Sequence, residues 1–367
     1  MAVRNYESLD GTNDVTTTTT LLHEAIPLTG TIVSGTYGAF RSERNIKNYT
    51  HGMFQSVYDY PYLSSSANHI FDVTIGYDEK SVLSGTSATN IQNSKKINLY
   101  NQFAQVLLGY TSSTGDGVRK FESDLLLDGV GTMNQCFFLT FSRLLTKDQV
   151  KKGTFSITLG TGSWDTPFKT HAGAATATRT LTDASASVSG EGTVNTDGGD
   201  YGILFDNAQD SVAYGAVFYQ AGIAIISSSI FAVGNSAVAD GGAQFSKDPT
   251  AGYQSVTASM SGSQISSSCN AFRHRLKNVS YNNTTEINSK IYFCRVPHNK
   301  FNYSANPTYV SASKLVVKNQ ASDNPVSYVT TVGLYNASNE LLAVAKLSEP
   351  LRKDPTNDIT IRVRLDY

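Results

Sequence analysis

The sequence contains one dense group of side chains that could do chemistry, the basic run Arg273-His274-Arg275-Leu276-Lys277. Phe272 precedes this run and Tyr281 follows it. Cationic side chains beside aromatic rings are typical of surfaces that contact the phosphates of nucleic acids. A run of this kind is more often the solvated end of a strand or a rim of ion pairs. The sequence therefore favours a solvated rim and leaves phosphate contact as the alternative.

The side chains that usually bind metals are scattered along the chain. No two of the six histidines are spaced by two or four residues, and none is predicted to pair with a nearby cysteine, so a zinc site would need ligands from distant segments. Asp197-Gly198-Gly199-Asp200 is too short to supply the ligand spacing of a calcium loop. We therefore expect neither a metal nor another cofactor.

Catalytic motifs are also missing from the sequence. Gly129-Val130-Gly131 and Gly160-Thr161-Gly162 lack the third glycine of a dinucleotide-binding loop, and the chain has no Gly-Lys-Ser/Thr or Gly-x-Ser-x-Gly. Glu122 and Asp124 are the nearest approach to a paired acid and base, but they alternate with their neighbours like the solvated face of a strand. Nothing here favours an enzyme.

Composition narrows the class of protein. Only 16% of the 367 residues are charged, against roughly 25% in an average domain, and the chain has 20 tyrosines and 17 phenylalanines. Tyrosine-rich surfaces of low charge suit contacts between subunits, although an ordinary β-rich protein shares this composition. The net charge of −1 draws in neither nucleic acid nor a membrane, so neither is expected as a partner.

Cysteine usage and the N-terminal residues bear on the compartment. The three cysteines are far apart in sequence, and we expect them to be reduced and buried. No apolar run is long enough to span a bilayer, and the first ten residues have no signal-peptide core. The sequence therefore predicts a chain made and kept in a cytoplasm until it assembles.

Hydrophobic patterning predicts a mainly β protein, with β-sandwich-like modules and a smaller α/β portion near the N-terminus. Five segments are expected along the chain: an extended arm, an α/β module, a Gly/Ala/Ser/Thr-rich loop or linker, a β-rich module, and a C-terminal β module with a terminal hairpin and strand. They cover residues 1–50, 51–165, 166–200, 201–300 and 301–367. The arm contains a run of five threonines, which fits either an extended strand along a neighbouring subunit or a flexible terminus.

The α/β module holds the expected helices. Met53, Phe54, Val57 and Tyr58 fall at helical spacing before Pro61. A second helix is predicted over about 88–110, where Leu99, Phe103, Val106 and Leu107 form an apolar stripe and Gly109 ends it.

A third, short helix is predicted from Thr146 as its N-cap to Gly153 as its end, because Thr146 and Gln149 have the spacing of a capping box. The aromatic run Cys136–Phe141 reads as a buried strand, and 154–159 alternates like a second strand. Further strands are expected over 202–205, 213–220 and 223–231. The segment 253–265 fits either a weak helix or a loop.

The last third of the chain reads as successive strands. Ser327–Tyr335 and Leu341–Leu347 flank a short turn, so they predict a hairpin whose second strand ends before Pro350. In the final strand, Ile359, Ile361, Val363 and Leu365 alternate with polar residues, which predicts one buried face and one cationic face. We also expect this strand to cover an edge of the hairpin.

Several segments resemble a known family. The hairpin residues Gly333–Asn336 and Leu341–Lys346, followed by Pro350, resemble modules of phage tail fibres and baseplates. More of the chain is similar to virion structural proteins of contractile-tailed marine cyanophages. The segments that carry this likeness are 62–72, 141–155, 219–224, 292–295 and 301–308.

The resemblance implies a structural subunit of the phage particle, in the contractile tail at the baseplate or neck. Such a chain would be made in the host cytoplasm and assemble with copies of itself in a symmetric ring and with other phage structural proteins. Six residues are candidates for the assembly interface. They are Phe301, Tyr303, Tyr335, Arg362, Arg364 and Tyr367.

Two other classes of function stay open on the sequence. A receptor- or carbohydrate-binding particle protein would show a solvent-facing aromatic cleft instead of aromatic subunit contacts. A glycan-degrading particle enzyme would need two carboxylates facing each other across a cleft, about 5 to 9.5 Å apart.

Overall fold

A computed structural model describes most of the chain. The described residues are 6–27, 43–84, 91–110, 117–126, 128–169, 178–183, 195–196, 198–207, 209–231, 244–262, 264–303, 310–311, 314–315, 322 and 324–367. They divide into two compact units. Leu22–Thr285 form the central unit, and Met1–Leu21 with Glu286–Tyr367 form the terminal unit. The five segments expected from composition mark changes in residue type and stay a prediction.

Strands dominate both units, which confirms the mainly β fold. Two strands contribute to both units, β1 (Val15–Pro27) and β15 (Leu276–Val296). The other strands of the central unit are β2 (Ile46–Asn48), β3 (Gln55–Tyr58), β4 (His69–Tyr77), β5 (Gln135–Phe141), β6 (Gln149–Val150), β7 (Ser156–Gly160), β8 (Thr178–Thr182), β9 (Asn195–Thr196), β10 (Gly199–Asp206), β11 (Gln209–Phe218), β12 (Ile223–Ser227), β13 (Ser246–Asp248) and β14 (Gly252–Gln254).

The described helices all belong to the central unit, and the remaining strands belong to the terminal unit. The helices are α1 (Ile91–Leu108), α2 (Arg143–Thr146), α3 (Val256–Ser261) and α4 (Ile265–Arg275), with 3-10 turns at Glu43–Asn45 and Ser228–Phe231. The remaining strands are β16 (Val310–Ser311), β17 (Lys314–Leu315), β18 (Ser327–Tyr335), β19 (Leu341–Lys353) and β20 (Ile359–Asp366).

The central unit is built on one antiparallel sheet. Its strands follow the order β15-β7-β8-β10-β11-β12-β5-β4-β3-β2. Every neighbouring pair in this order is antiparallel. The short strands β6 and β9 pair with β15 and β10, and β13 pairs only with β14.

Both faces of this sheet are buried in the middle. On β5, Phe137 and Leu139 pack into one hydrophobic cluster, whereas Phe138 packs into another. Residues of α3 and α4 belong to the first cluster, and most of the buried residues of α1 belong to the second. A strand covered on both sides needs apolar residues at every position. This explains the unbroken aromatic run and confirms the predicted buried strand.

The long predicted helix is confirmed as α1, but its buried face is rotated from the predicted stripe. Leu99 and Leu107 are buried as expected, whereas Val106 is 67% exposed. Tyr100 and Ala104 are fully buried instead. The tyrosine ring and the small alanine pack against the sheet. Neither is one of the large, purely apolar residue types from which the stripe was predicted.

Two predicted helices are wrong. The segment 53–58 contains β3, where Val57 pairs with Ile46 on one side and Phe71 on the other. Sheet pairing overrides helical spacing in so short a segment. Thr146 is the last residue of α2 and not an N-cap, because Lys147 has a positive φ of 55° and ends the helix. Gln149 then pairs with Thr284 in the sheet.

The predicted loop over 166–200 is corrected in part. It contains β8, which pairs with β7 and β10, and Leu181 is fully buried there. The alternation of buried and partly exposed residues in β8 extends over only five residues. The polar composition of the surrounding segment hid this short pattern in the sequence. Most of 184–197 lies outside the described residues. The segment 253–265, left open between helix and loop, includes α3.

Helix α1 lies very close to β4. A Cβ on Gly76 would stand 2.9 Å from the carbonyl oxygen of Lys96 and 2.9 Å from the amide nitrogen of Tyr100. Both are backbone atoms, so the helix itself would have to move. Glycine is therefore required at this position by contact and not by its backbone angles.

We predict that Gly76→Ala lowers the free energy of unfolding by about 1–3 kcal/mol, the usual cost of overpacking. Gly11→Ala is the control, because nothing lies within 4 Å of a Cβ there, and it should change stability by less than about 0.5 kcal/mol. Urea unfolding of both variants measures the difference. Equal stability of the two variants would contradict the close approach of α1.

A buried lysine links α1 to the end of α3. Lys96 is fully buried, and its ammonium donates to the carbonyl oxygens of Met260 and Gly262 at 2.7 and 2.5 Å. These are carbonyls that the end of a short helix leaves without intrahelical partners. Burial lowers the pKa of Lys96 from 10.5 to about 8.

This shift predicts how stability depends on pH. Between about pH 8 and 10.5 the unfolded chain keeps the proton on Lys96 that the folded chain has lost. The free energy of unfolding of the wild type, relative to Lys96→Met, should therefore rise with pH across this window, by about 1–3 kcal/mol. Below the window the difference should be constant. Urea unfolding of both proteins at several pH values is the measurement, and a pH-independent difference would refute the assignment.

Candidate assembly surface

The terminal unit has very few buried apolar side chains. Among its described residues only Ile291, Ile361 and Val363 are buried hydrophobics. Large exposed ones are far more numerous. They are Tyr6, Leu9, Leu21, Phe301, Tyr303, Tyr328, Tyr335, Leu341, Leu342, Val344, Leu351 and Tyr367. A unit with this imbalance obtains little hydrophobic stabilisation from its own packing.

Half of these exposed side chains belong to the hairpin of β18 and β19, which we call the apolar hairpin. Its strands pair antiparallel, with Gly333 opposite Val344 and Leu334 opposite Ala343. The turn is held by Asn336, whose side-chain oxygen accepts from the amide of Glu340 at 2.8 Å. Asn339 takes a positive φ of 62°, which asparagine tolerates well. The predicted hairpin and turn are confirmed.

The second strand of the hairpin does not end before Pro350 as predicted. Pairing shifts between Val329 and Thr331, so the partner jumps from Leu351 to Lys346. Pro350 lies in the unpaired bulge, where its missing N–H costs no ladder bond. A second shift leaves Leu342 without a partner near the turn, and this side chain is 68% exposed.

The base of the apolar hairpin is fixed by a buried lysine. Lys353 is fully buried, and its ammonium donates to the side-chain oxygen of Asn302 at 2.6 Å and to the carbonyl oxygen of His298 at 3.3 Å. Ser327 donates to the carbonyl oxygen of Phe301 at 2.5 Å. Near the turn the ring of Tyr335 packs edge-on against Tyr6, with centroids 5.0 Å apart.

Ion pairs join the early residues of the terminal unit to its later ones. Lys300 pairs with Glu7 at 2.6 Å, and Arg295 pairs with Asp14 at 2.9 Å. The amide of Phe293 also donates to the carbonyl oxygen of Asp14 at 2.9 Å. The unit therefore depends on residues from both parts of the chain.

The final strand has the predicted alternation. Ile361 and Val363 are buried, Ile359 and Leu365 are half-buried, and the intervening residues are exposed. The expectation that this strand covers the hairpin is wrong, because β20 pairs with β15, from Ser289 opposite Asp366 to Val296 opposite Ile359.

The six candidate interface residues are all exposed. Phe301 and Tyr303 lie beside the base of the apolar hairpin, and Tyr335 lies next to its turn. The side chains of Arg362 and Arg364 are on β20, and Tyr367 follows that strand. Arg364 donates to Asp366 at 2.7 Å and to Ser289 at 3.0 Å. Whether any of the six contacts a partner stays a prediction.

Sequence reasoning missed the aliphatic part of this surface. Residues 341–347 were predicted as a hairpin strand, with no prediction of their exposure, and Leu351 was placed beyond its end. Leu341, Leu342, Val344 and Leu351 are all exposed. A signal was present, because Leu341-Leu342-Ala343-Val344 has apolar residues on both faces of a two-stranded hairpin. In a two-stranded hairpin each strand pairs with only one other strand. The hairpin therefore cannot bury both of its faces by itself.

The basic run over residues 273–277 is not a solvated rim. Arg273 and Arg275 are buried near the end of α4, and only Lys277 is exposed. Arg275 donates to carbonyl oxygens of Gly162 at 2.7 Å and Gln244 at 2.6 Å, among others. Burial lowers its pKa to about 9. The guanidinium therefore fastens loops to the helix and does not meet solvent.

The carboxylates that could act as acids or bases serve as backbone acceptors. Glu122 is buried and accepts from the amides of Asp128 and Gly129, so it is not on a solvated face as predicted. Asp183 is fully buried and accepts from the hydroxyl of Tyr219 at 2.9 Å and from the amide of Phe155 at 2.8 Å. Burial raises the pKa of Asp183, although these hydrogen bonds oppose the shift.

Other features bear on the class of protein. Within the described ranges no group of three or more potential ligands is arranged to hold a metal ion. No helix in the same ranges has the length and hydrophobicity needed to cross a membrane. Comparisons with protein-family models, with curated proteins and with solved structures give no match for this chain.

The faces of β20 can be tested by substitution. Val363→Asp should lower the free energy of unfolding by about 3–5 kcal/mol, because it places an unpaired charge in a buried position. The double change Arg362→Ser and Arg364→Ser should cost roughly 0–1 kcal/mol for each residue, since exposed charges contribute little. Thermal unfolding of both variants provides the comparison. A larger loss in the double variant would show that the two faces have been assigned the wrong way round.

Proposed function

We propose that this chain is a structural subunit of a phage particle, in the contractile tail at the baseplate or neck. It acts by binding copies of itself in a ring and other structural proteins of the particle. The observation that carries the assembly part of this proposal is the terminal unit, whose described residues include three buried hydrophobic side chains against twelve large exposed ones. The place in the tail rests on the resemblance of the hairpin and upstream segments to such proteins.

The physical argument concerns what an exposed hairpin needs. An isolated two-stranded hairpin is marginally stable in water, and burying a large apolar side chain contributes roughly 1.5–3 kcal/mol. The apolar hairpin is fixed at its base by Lys353, while most of its large side chains remain in solvent. A neighbouring subunit that covers them would stabilise the hairpin and the assembly together.

Backbone groups add a second source of affinity. Within the described residues the apolar hairpin forms a sheet of its own, so β18 and β19 each have one edge that is not paired in a sheet. Addition of a strand from another subunit would satisfy these groups, and side chains on the added strand would set the specificity. Aromatic residues beside the hairpin suit such a contact, because they supply area at a low entropic cost.

The apolar hairpin can be tested with a matched pair of double variants. Leu342→Ser with Val344→Ser should abolish self-association while changing stability by less than about 1 kcal/mol, because both side chains are already exposed. Leu63→Ser with Val82→Ser makes the same chemical change at two exposed positions of the central unit, each 86% exposed, and should leave self-association intact.

Sedimentation velocity over a range of protein concentrations is the measurement for both double variants and the wild type. Thermal unfolding of each variant confirms that it is folded. Wild-type association by the hairpin variant would refute the role of the hairpin, and a wild type that is monomeric at every concentration would refute self-assembly of the isolated chain.

A further inference from the structure

The central unit has a polar cavity that the assembly proposal does not use. It lies between the loop that carries Trp164, the hairpin of β13 and β14, and helix α4. Its volume is about 330 Å³, at the lower end of the range for sites of small molecules. Trp164, the only tryptophan of the chain, forms part of its wall.

Hydrogen bonds from one buried arginine hold two walls of this cavity in place. The buried guanidinium of Arg275 donates to the carbonyl oxygens of Gly160 and Gly162 on the first loop, at 3.1 and 2.7 Å. It also donates to those of Gln244 and Phe245, just before β13, at 2.6 and 3.1 Å. Both loops are thereby tied to α4, so the cavity is preorganised.

A stacked pair of rings completes one wall. The rings of Trp164 and His274 are nearly parallel, with centroids 3.9 Å apart. The Nε2 atom of His274 donates to the carbonyl oxygen of Trp164 at 2.8 Å. The stacking orients the indole against α4, and the hydrogen bond to the backbone carbonyl does not use the indole N–H.

Several acceptors in the wall are already engaged by the protein. The side-chain oxygen of Asn270 accepts from Gln55 at 2.9 Å and also from Arg273. One carboxylate oxygen of Asp248 accepts from the amides of Thr250 and Ala251, both at 2.8 Å.

Several donors in the wall are not engaged. The indole N–H of Trp164 and the side-chain N–H groups of Gln254 and Asn270 have no hydrogen-bond partner among the residues that the structure describes. Two cationic side chains, Arg273 and Lys247, line the cavity against the single carboxylate of Asp248. Lys247 lies over the ring of Tyr253, 4.9 Å from its centroid, and has a long ion pair of 3.9 Å with Asp165. The lining therefore offers more donors than acceptors and more positive than negative charge.

We propose that this cavity binds a small anion that presents a phosphate or a carboxylate group. Oxygen atoms of such a group accept hydrogen bonds and carry negative charge, which matches a wall with available donors and a surplus of cations. Phosphate esters and acidic sugars share this chemistry. The proposal concerns a different unit from the apolar hairpin and does not depend on the assembly role.

The fluorescence of Trp164 provides a direct test, because no other tryptophan contributes to the signal. Purified full-length chain is titrated with inorganic phosphate, with glucuronate and with neutral glucose, at constant ionic strength kept with sodium chloride. We expect saturable changes at millimolar concentration with phosphate or glucuronate and none with glucose. The stronger of the two anions identifies phosphate esters or acidic sugars as the source.

Ser267 offers a matched pair of variants at the edge of the cavity. It lines the cavity, is exposed on α4, and makes no hydrogen bond through its hydroxyl among the described residues. Ser267→Asp adds a negative charge and should weaken anion binding at least about tenfold. Ser267→Asn introduces a side chain of nearly the same size as aspartate but without the charge, so its affinity for the anion should stay within about threefold of the wild-type affinity. Both variants keep Trp164 as the reporter.

Three results would overturn the proposal. They are saturable binding of glucose with an affinity equal to that of the anions, the absence of a saturable response to either anion, and equal anion affinity of the two Ser267 variants. The first would assign the cavity to neutral sugars, and the last would place the anion elsewhere on the chain. None of these results bears on self-association through the apolar hairpin.

Discussion

Packing on both faces of β5 is the constraint on which the central unit depends. Phe137 and Phe138 point into different hydrophobic clusters, so water is excluded from both sides of the sheet. Polar groups caught in these layers must then find partners inside the protein. Lys96, Asp183 and Arg275 do so through two, three and four hydrogen bonds to other residues. Lys96 thereby links two helices, and Arg275 fastens loops to α4.

The terminal unit follows a different principle. Its described residues include one buried ammonium, on Lys353, and few buried apolar side chains, so its hairpin is oriented at the base and exposed to solvent beyond it. The two units thus differ in what they expose to solvent. The central unit supports a preorganised polar cavity, and the terminal unit leaves apolar side chains and the edges of its hairpin exposed.

Period-two patterns could be interpreted from sequence because alternation follows directly from strand geometry. The faces of β20 were predicted for this reason, whereas the buried strand β5 was predicted from its continuous run of large apolar residues. The chemistry of the site was harder to predict. Arg273 and Arg275 read as a solvated rim, since a sequence shows charge but not the carbonyl oxygens that satisfy it. Pro350 read as a strand end, although a bulge lets the strand continue past it. The strand pattern predicted Leu342 as part of a hairpin, but a strand pattern alone does not show whether another element covers this side chain, which is exposed.

The ion pairs of Lys300 with Glu7 and of Arg295 with Asp14 have a consequence for synthesis. They require residues near position 10 to meet residues near position 300, so the terminal unit cannot form until most of the chain has left the ribosome. The central unit lies between these segments in sequence and can fold first. The apolar hairpin, which follows position 326 in the sequence, is therefore completed late, after the central unit has left the ribosome.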